Sequence, residues 1–360
     1  MTSRRICFPL LGNYYIAEKT IGRLLGDEII LPPRITKKTL EIGSKYSPEA
    51  VCVPFKYMLG NFIEALEKGA NVLFQMGGGC RLGCYGEIHR AILKNLGYEF
   101  EYIKMTNRHD IGAIVRFIKD LYPQLSYWQI AKTFYMAYEQ AKAIDVLEDF
   151  MRLNIGFEVE KGSFERQHKQ FLYALDRSTS VWDVWRVKRE FGATFRKIAV
   201  NKPAKPLRVG FVGEFYVVLE PFSNFFIEKQ LAELGIEMHR PLSVSGSVLH
   251  YTFYDRHIHH LLKDAAPYIN GPLGAHGTES VAQAVRFAKR GFDGLIHVKP
   301  FGCMPEINAM PALHRISEDF HFPILYFSFD SLTSETGIKT RLEAFYDMLV
   351  MREGKNERAA

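Results

Sequence analysis

Apolar residues in the first part of the chain alternate between short continuous runs and stretches spaced three to four residues apart. The runs predict strands at 5–9, 28–31 and 72–75, and the spaced stretches predict helices at 14–25, 59–68 and 85–96. Typical stop residues follow three of these segments, namely Pro32-Pro33, Gly69 and Gly97. A strand–helix–strand rhythm of this kind favours an open parallel sheet.

The spacing changes between residues 111 and 200. Apolar side chains recur there at three- and four-residue intervals, as in Ile130, Phe134, Tyr138, Ala141 and Ile144. This periodicity predicts a mainly helical segment. The proline-containing stretch 201–206 then predicts a linker.

Strand and helix signals return after the linker. Strands are predicted at 207–212, 295–298 and 323–327, with helices at 225–234 and 279–290. We therefore predict an α/β protein with two Rossmann-like open parallel-sheet lobes and a helical middle segment. The predicted organisation is an N-terminal lobe (1–110), a helical segment (111–200), a C-terminal lobe (201–352) and a frayed polar tail (353–360).

Composition narrows the function classes. The net charge of +6, from 46 basic and 40 acidic residues, comes without a basic block of five, so nucleic-acid binding has little support. No apolar run reaches the roughly 18 residues of a membrane span, and residues 1–6 lack a secretory signal. We therefore expect a cytoplasmic protein without a membrane partner. In that compartment its five cysteines, an odd number, indicate metal binding or catalysis rather than disulfides.

Three cysteines follow apolar segments and have glycine or proline beside them. Cys80 ends the run GGGC, Cys52 precedes VPFK, and Cys303 follows KPFG. Glycine and proline fix the sharp turns that let short thiol side chains point into one shared site. Soft thiolates select iron–sulfur clusters, zinc or copper(I). For any single cysteine the alternative is a small buried packing residue.

Three thiolates leave one iron of a four-iron cluster for water, substrate, a bridging sulfide or a fourth cysteine. Cys84 is a weaker candidate for that ligand, since it could instead sit on the first turn of the next helix and face elsewhere. Cys7, in the first strand, is expected in the core. A structural zinc is the alternative metal, but it usually brings two Cys-x-x-Cys pairs, which this chain lacks.

Cationic and polar residues near these cysteines are candidates for the cluster environment or for substrate binding. They are Lys56, Arg81 and Lys299, the glycine amides of Gly78 and Gly79, and the polar pair His276 and Glu279. The amides would form an anion nest, and the cations would offset the negative charge of a thiolate-bound cluster. The alternatives are that the cations are only solvated, and that Thr278 caps a helix at 276–280. The chain has no phosphate-binding glycine motif, so we expect nucleotide chemistry to belong to a partner.

Six segments together carry a resemblance to a known family. They are FPLLGNYY at 8–15, ITKKT at 35–39, VCVPFK at 51–56, GGGCRLG at 77–83, PFGCMPE at 300–306 and TRLEAF at 340–345. The chain resembles the 2-hydroxyacyl-CoA dehydratase D-component-like family, which also contains double-cubane cluster proteins and benzoyl-CoA reductase subunits.

The resemblance implies two α/β lobes with an iron–sulfur cluster, [4Fe-4S], in the cleft between them. The implied ligands are Cys52, Cys80 and Cys303, whereas the position of Cys84 is usually not a cysteine in the family. Members are reduced by a separate activator, a homodimeric iron–sulfur ATPase of the actin/sugar-kinase type. A second subunit, identical or related, and an acyl-CoA or other small-molecule substrate are also implied.

The implied function is that of an oxygen-sensitive enzyme subunit performing ATP-dependent one-electron reductive chemistry. Elimination of water from a 2-hydroxyacyl-CoA, a lyase reaction, is the leading prediction. One alternative is a double-cubane-type reductase of small molecules, which would need further cysteine ligands. The other is a non-catalytic electron-transfer or cluster-carrying scaffold.

Overall fold

The computed structural model describes residues 4–25, 28–76, 82–105, 111–252 and 254–359. The chain divides into two compact units, and each contains segments from distant parts of the sequence. Unit 1 comprises Met1–Asp145, Phe171–Glu190 and Val244–Asp255. Unit 2 comprises Val146–Gln170, Phe191–Ser243 and Arg256–Ala360.

Unit 1 contains a parallel four-stranded sheet with the order β2-β1-β3-β4. Its elements are β1 (Arg5–Cys7), α1 (Tyr15–Leu25), β2 (Glu28–Ile29), α2 (Lys37–Tyr46), α3 (Val53–Glu67), β3 (Val72–Met76), α4 (Leu82–Asn95) and β4 (Glu101–Met105). The parallel sheet predicted for this part of the chain is confirmed. The helix predicted at 59–68 begins six residues earlier, because Pro54 fits the first turn of a helix, where its missing N–H costs nothing.

Helices cover both faces of this sheet. Ile6, Val72 and Phe74 pack on one face, whereas their strand neighbours Cys7 and Leu73 pack on the other with α3 and α4. Successive side chains of a strand point to opposite faces, so two apolar faces require two layers of helix. This explains why the strands appear in the sequence as continuous apolar runs.

The middle of the chain is mainly helical, as predicted. It forms α5 (Ile111–Leu121), α6 (Tyr127–Asn154), a 3₁₀ turn (Ile155–Phe157), α7 (Ser163–Asp176) and α8 (Val181–Arg196). The predicted linker 201–206 contains no helix or strand.

Unit 2 contains a second parallel sheet, with the order β6-β5-β7-β8. The remaining elements are β5 (Arg208–Gly213), α9 (Phe215–Leu219), a 3₁₀ turn (Pro221–Asn224), α10 (Ile227–Glu233), β6 (Glu237–His239), α11 (Val244–Thr252), α12 (Tyr254–Ala265), α13 (Gly277–Lys289), β7 (Gly294–Pro300), α14 (Met304–Asp319), β8 (Ile324–Phe329) and α15 (Glu335–Ala359). Of these, α11 belongs to unit 1. The tail expected to fray continues α15 as far as Ala359, since it is rich in the helix formers Glu, Lys, Arg and Ala.

The two sheets share one strand order, in which the first strand lies between the second and the third. The connection after β1 leads to one edge of its sheet and the connection after β3 leads to the other edge. The connections after β5 and β7 diverge in the same way. Ligands of open α/β sheets bind outside the carboxyl ends of strands at such a switch point. Among the described residues, no helix combines the length and hydrophobicity needed to span a membrane.

Candidate metal centre and its surroundings

Cys52 is the N-cap residue of α3, with extended backbone (φ −68°, ψ 154°) and Pro54 in the first turn of the helix. Our expectation that Cys52 lies on a loop well before its helix was wrong. The segment before it is a turn, not a strand. The Cys52 side chain makes no capping hydrogen bond to the helix.

The aromatic side chain of Tyr85 in α4 lies beside Cys52. The Cys52 Sγ lies 3.6 Å from the hydroxyl of Tyr85, and the Tyr85 ring meets Phe55 edge-on at 4.8 Å between centroids. Because α4 follows the carboxyl end of β3, this contact places the Cys52 thiol at that edge of the sheet. Lys56, one turn further along α3, is half-buried.

A buried histidine lies beneath this turn. His89 of α4 has its Nε2 3.1 Å from the carbonyl oxygen of Phe55 and its Nδ1 3.5 Å from Gln75 Oε1. Burial lowers the pKa of His89 to about 4, although the hydrogen bond to Phe55 opposes the shift. The imidazole is therefore neutral at pH 7, and Nε2–H donates to the carbonyl. Tyr102 donates to Gln75 Oε1. Because Nε2 carries the ring proton, His89 Nδ1 and Gln75 Oε1 are both acceptors, and their 3.5 Å approach is not a hydrogen bond.

Four of the predicted site residues lie outside the described residues, namely Gly78, Gly79, Cys80 and Arg81. By chain position Cys80 falls four residues after the end of β3 and two before α4. Cys84 is the third residue of α4 and is exposed. Cys7 is fully buried in β1, as expected, and burial raises the pKa of its thiol.

Cys303 repeats the local design of Cys52 in unit 2. It is the N-cap of α14, again without a capping hydrogen bond from its side chain and with Pro305 in the first turn. Gly302, at φ 76°, makes the turn between β7 and the helix. The Cys303 amide donates to the Pro300 carbonyl at 3.2 Å, so the thiol stays close to the carboxyl end of β7.

Lys299 of β7 is only 5% exposed, so the alternative that it is simply solvated is wrong. Its Nζ donates to Ser328 Oγ at 2.8 Å. Burial lowers the pKa of Lys299, whereas Cys303, in its thiolate form, and Glu306 raise it. Lys299 therefore supplies positive charge in the neighbourhood of Cys303.

Buried acidic and imidazole groups surround the carboxyl ends of β5 and β7. His297 Nε2 of β7 lies 2.7 Å from Glu306 Oε2 in the first turn of α14. Glu214, directly after β5, accepts a hydrogen bond from the Val217 amide at 3.0 Å. Burial raises the pKa of Glu214, and the neighbouring Glu306 adds to the increase, whereas His276 opposes it.

His276 and Glu279 mark the start of α13, as the sequence predicted. His276 is its buried N-cap residue, and its ring stacks on Phe215 at 5.4 Å. Thr278 does not cap this helix, because its hydroxyl accepts from the Leu273 amide instead. His276 and Glu279 line a small pocket beside Gly213, at the carboxyl end of β5.

Sequence reasoning missed Gln75, His89, Glu214, His297 and Glu306. A signal was present for two of them, since Gln75 and His297 directly follow apolar runs within their strands. A polar side chain in a strand that is buried on both faces requires a partner, and such positions are functional candidates. The other three sit on helices or loops, where polar residues are common.

The predicted trio of ligands is only partly described. Cys52 belongs to unit 1, Cys303 to unit 2, and Cys80 lies outside the described residues. Within the described ranges, no three His, Cys, Asp or Glu side chains are grouped closely enough to hold a metal ion. The donor chemistry nevertheless fits thiolate ligation. The two described members of the trio, Cys52 and Cys303, lie at helix N-termini, whose partial positive charge favours an anion.

Comparison of the sequence with models of known protein families gives no match, and comparison with curated proteins gives none either. The family resemblance therefore rests on the six sequence segments alone.

Proposed function

We propose that this chain is the iron–sulfur subunit of a 2-hydroxyacyl-CoA dehydratase-like enzyme, with Cys52, Cys80 and Cys303 as the cluster ligands. The observation that carries the proposal is the repeated setting of Cys52 and Cys303. Each is the N-cap of a helix, has proline two residues later, and leaves its side chain out of the capping hydrogen bonds.

The charges near Cys303 support a cluster that carries net negative charge. Lys299 brings a buried ammonium group to the neighbourhood of that thiol, and the start of α14 adds the partial positive charge of a helix N-terminus. Both would stabilise thiolate and the reduced, more negative form of a cluster. Lys56, half-buried one turn after Cys52, is the corresponding cation in unit 1.

When bound, such a cluster supplies low-potential single electrons and a Lewis-acidic iron for a substrate oxygen. This chain's residues would hold it, offset its charge and contact substrate, the last through His276 and Glu279 at the start of α13. ATP hydrolysis belongs to a separate activator, which would deliver the electrons. A second subunit, identical or related, and an acyl-CoA substrate complete the proposal.

Anaerobic purification with iron and sulfide analysis tests the proposal. We expect about four iron and four acid-labile sulfide per cluster, and loss of both on exposure to air. A protein that binds one zinc per chain and no iron would refute it.

A cluster-carrying electron-transfer protein without its own substrate is the second candidate. A closed cluster held by four protein ligands would favour it. Addition of 2-hydroxyacyl-CoA to the reduced protein separates the two. An enzyme would show a changed paramagnetic spectrum, and a carrier would not.

A further inference from the structure

We propose that His89 and His297 are positioning residues that fix the two helix turns carrying Cys52 and Cys303. The inference deepens the proposed function and rests on it, because it assumes that these two thiols are the working groups. It concerns the histidines, however, and its test needs no metal.

In unit 2 the restraint is a buried side-chain pair. His297 is 0% and Glu306 1% exposed, and their Nε2 and Oε2 atoms are 2.7 Å apart. Among the described residues, His297 Nδ1 and Glu306 Oε1 have no hydrogen-bond partner, so this contact is the main polar tie of both side chains. Glu306 is the third residue after Cys303.

Glu306 is the third residue of α14, a position where glutamate often caps the helix. At the third residue of a helix it commonly reaches back to the amide of the N-cap residue. Here the Cys303 amide donates to Pro300 instead, and the Glu306 carboxylate turns inward to His297. The pair therefore ties the first turn of α14 to β7.

In unit 1 the restraint acts on the equivalent helix position, but through a hydrogen bond to the backbone. His89, fully buried, donates from Nε2 to the carbonyl of Phe55 at 3.1 Å, and Phe55 is the third residue after Cys52. The two rings also lie against each other, with centroids 4.0 Å apart. This contact ties the first turn of α3 to α4.

The recurrence argues against packing alone. Cys52 precedes the third strand of its sheet and Cys303 follows the third strand of the other, so the two sites do not occupy equivalent places in the fold. One histidine comes from a helix and the other from a strand, yet both hold the residue three positions after a cysteine. A buried carboxylate–imidazole pair rarely stabilises a protein more than apolar side chains of the same volume would. The contribution of such a pair is therefore to fix the orientation of the elements that it joins.

The first turn of a helix needs such a tie because its N–H groups lack partners within the helix. Where that turn frays, the orientation of the N-cap thiol is lost. Cys52 and Cys303 are only half-buried, so their rates of reaction with a thiol reagent report whether the turn is held.

The experiment measures alkylation of each cysteine by iodoacetamide in the full metal-free chain, resolved by peptide mapping. We expect His297→Ala and Glu306→Ala to speed alkylation of Cys303 about tenfold, the factor for one net hydrogen bond of about 1.4 kcal/mol. The rate at Cys52 should stay within about twofold. His89→Ala should give the reverse pattern.

Glu306→Gln is the matched control, because its amide oxygen can still accept from His297 and should keep Cys303 slow. Cys7 reports global unfolding, since its burial keeps it unreactive in a folded chain. If Cys7 reacts in an alanine variant, His297→Leu takes its place, because leucine fills the site but cannot hydrogen-bond to Glu306, and it should speed alkylation of Cys303 in the same way. Unchanged rates in folded variants that lose the contact, or equal acceleration at both Cys52 and Cys303 in such a variant, would overturn the proposal. Iron analysis of wild type separately tests the cluster.

Discussion

The four described cysteines have different surroundings. Cys7 is enclosed in the core of unit 1, and Cys84 faces outward from the first turn of α4. Cys52 and Cys303 alone among them occupy N-cap positions. Replacement of each cysteine by serine should therefore have a different effect on iron content and stability.

Serine at position 52, 80 or 303 should abolish cluster incorporation, because each change removes one metal–sulfur bond from the proposed site. Serine at position 7 should cost only about 1–3 kcal/mol of folding free energy, mainly for an imperfectly paired buried hydroxyl. Serine at the exposed position 84 should leave iron content close to that of wild type. Iron per chain and thiolate-to-iron absorption after anaerobic reconstitution measure these effects.

Two results would show that the wrong thiol of the 77–84 segment has been assigned. One is full iron content in Cys80→Ser, and the other is complete iron loss in Cys84→Ser.

The buried charge of Lys299 leads to a prediction about the reduction potential. Lys299→Met keeps the bulk of the side chain but removes a positive charge from the neighbourhood of Cys303. Reduction adds negative charge, so we expect the potential of the reconstituted cluster to become more negative. Ser328→Ala is the control, since it removes the 2.8 Å hydrogen bond and keeps the charge. Equal potentials in Lys299→Met and wild type would contradict the role of that charge.

At the scale of elements, glycine decides how closely α2 and α3 approach. A Cβ placed on Gly60 would lie 2.0 Å from the Thr39 carbonyl oxygen, and one on Gly43 would lie 1.8 Å from that of Lys56. Both obstacles are backbone atoms and cannot rotate away. The crossing thus sets the position of α3, which begins beside Cys52.

Gly60→Ala should therefore destabilise the protein by about 1–3 kcal/mol, as overpacking does in other cores. Gly337→Ala in α15 is the matched control, because nothing lies within 4 Å of its added Cβ. It should be neutral or stabilise by up to about 1 kcal/mol through helix propensity. Denaturant unfolding measures both, and equal effects would argue against a tight crossing.

Elements with strong local signals were predictable from sequence, and contact-dependent details were not. The apolar residues Val72–Phe74 predict β3, and the three- and four-residue spacing of apolar side chains from Ile130 to Ile144 predicts α6. By contrast, the start of α3 at Val53 depends on how Pro54 is used, and the role of Glu306 depends on His297 of another element. The cysteines of the candidate site could be proposed from the sequence. The buried polar groups around them could not, because they come from separate elements that only the fold brings into contact.

At the scale of the whole molecule, buried ionisable groups link stability to pH. The pKa of His89 falls from 6.5 to about 4 on folding. Below pH 6.5 the unfolded chain therefore binds a proton that the folded chain does not, and stability declines as the pH falls toward 4. This one group contributes a loss of about 3 kcal/mol at most.

His89→Gln should remove that part of the acid sensitivity. We expect the difference in unfolding free energy between wild type and His89→Gln to be largest near pH 7 and to shrink as the pH approaches 4. Urea unfolding at several pH values measures it. A difference that does not vary with pH would mean that His89 titrates alike in the folded and unfolded chains.

The interleaving of the two units has a consequence for synthesis on the ribosome. Unit 1 begins with the first residues but includes Val244–Asp255, so it is complete only 110 residues after Asp145 has been made. At roughly 5–20 residues per second, its sheet would wait about 5–20 s for the segment containing α11. During that interval Asp145 lacks the hydrogen bond that its Oδ2 accepts from the Ser245 amide at 2.8 Å, and slower translation lengthens the interval. Codon choice and chaperone supply should therefore affect the yield of folded protein through this part of the chain.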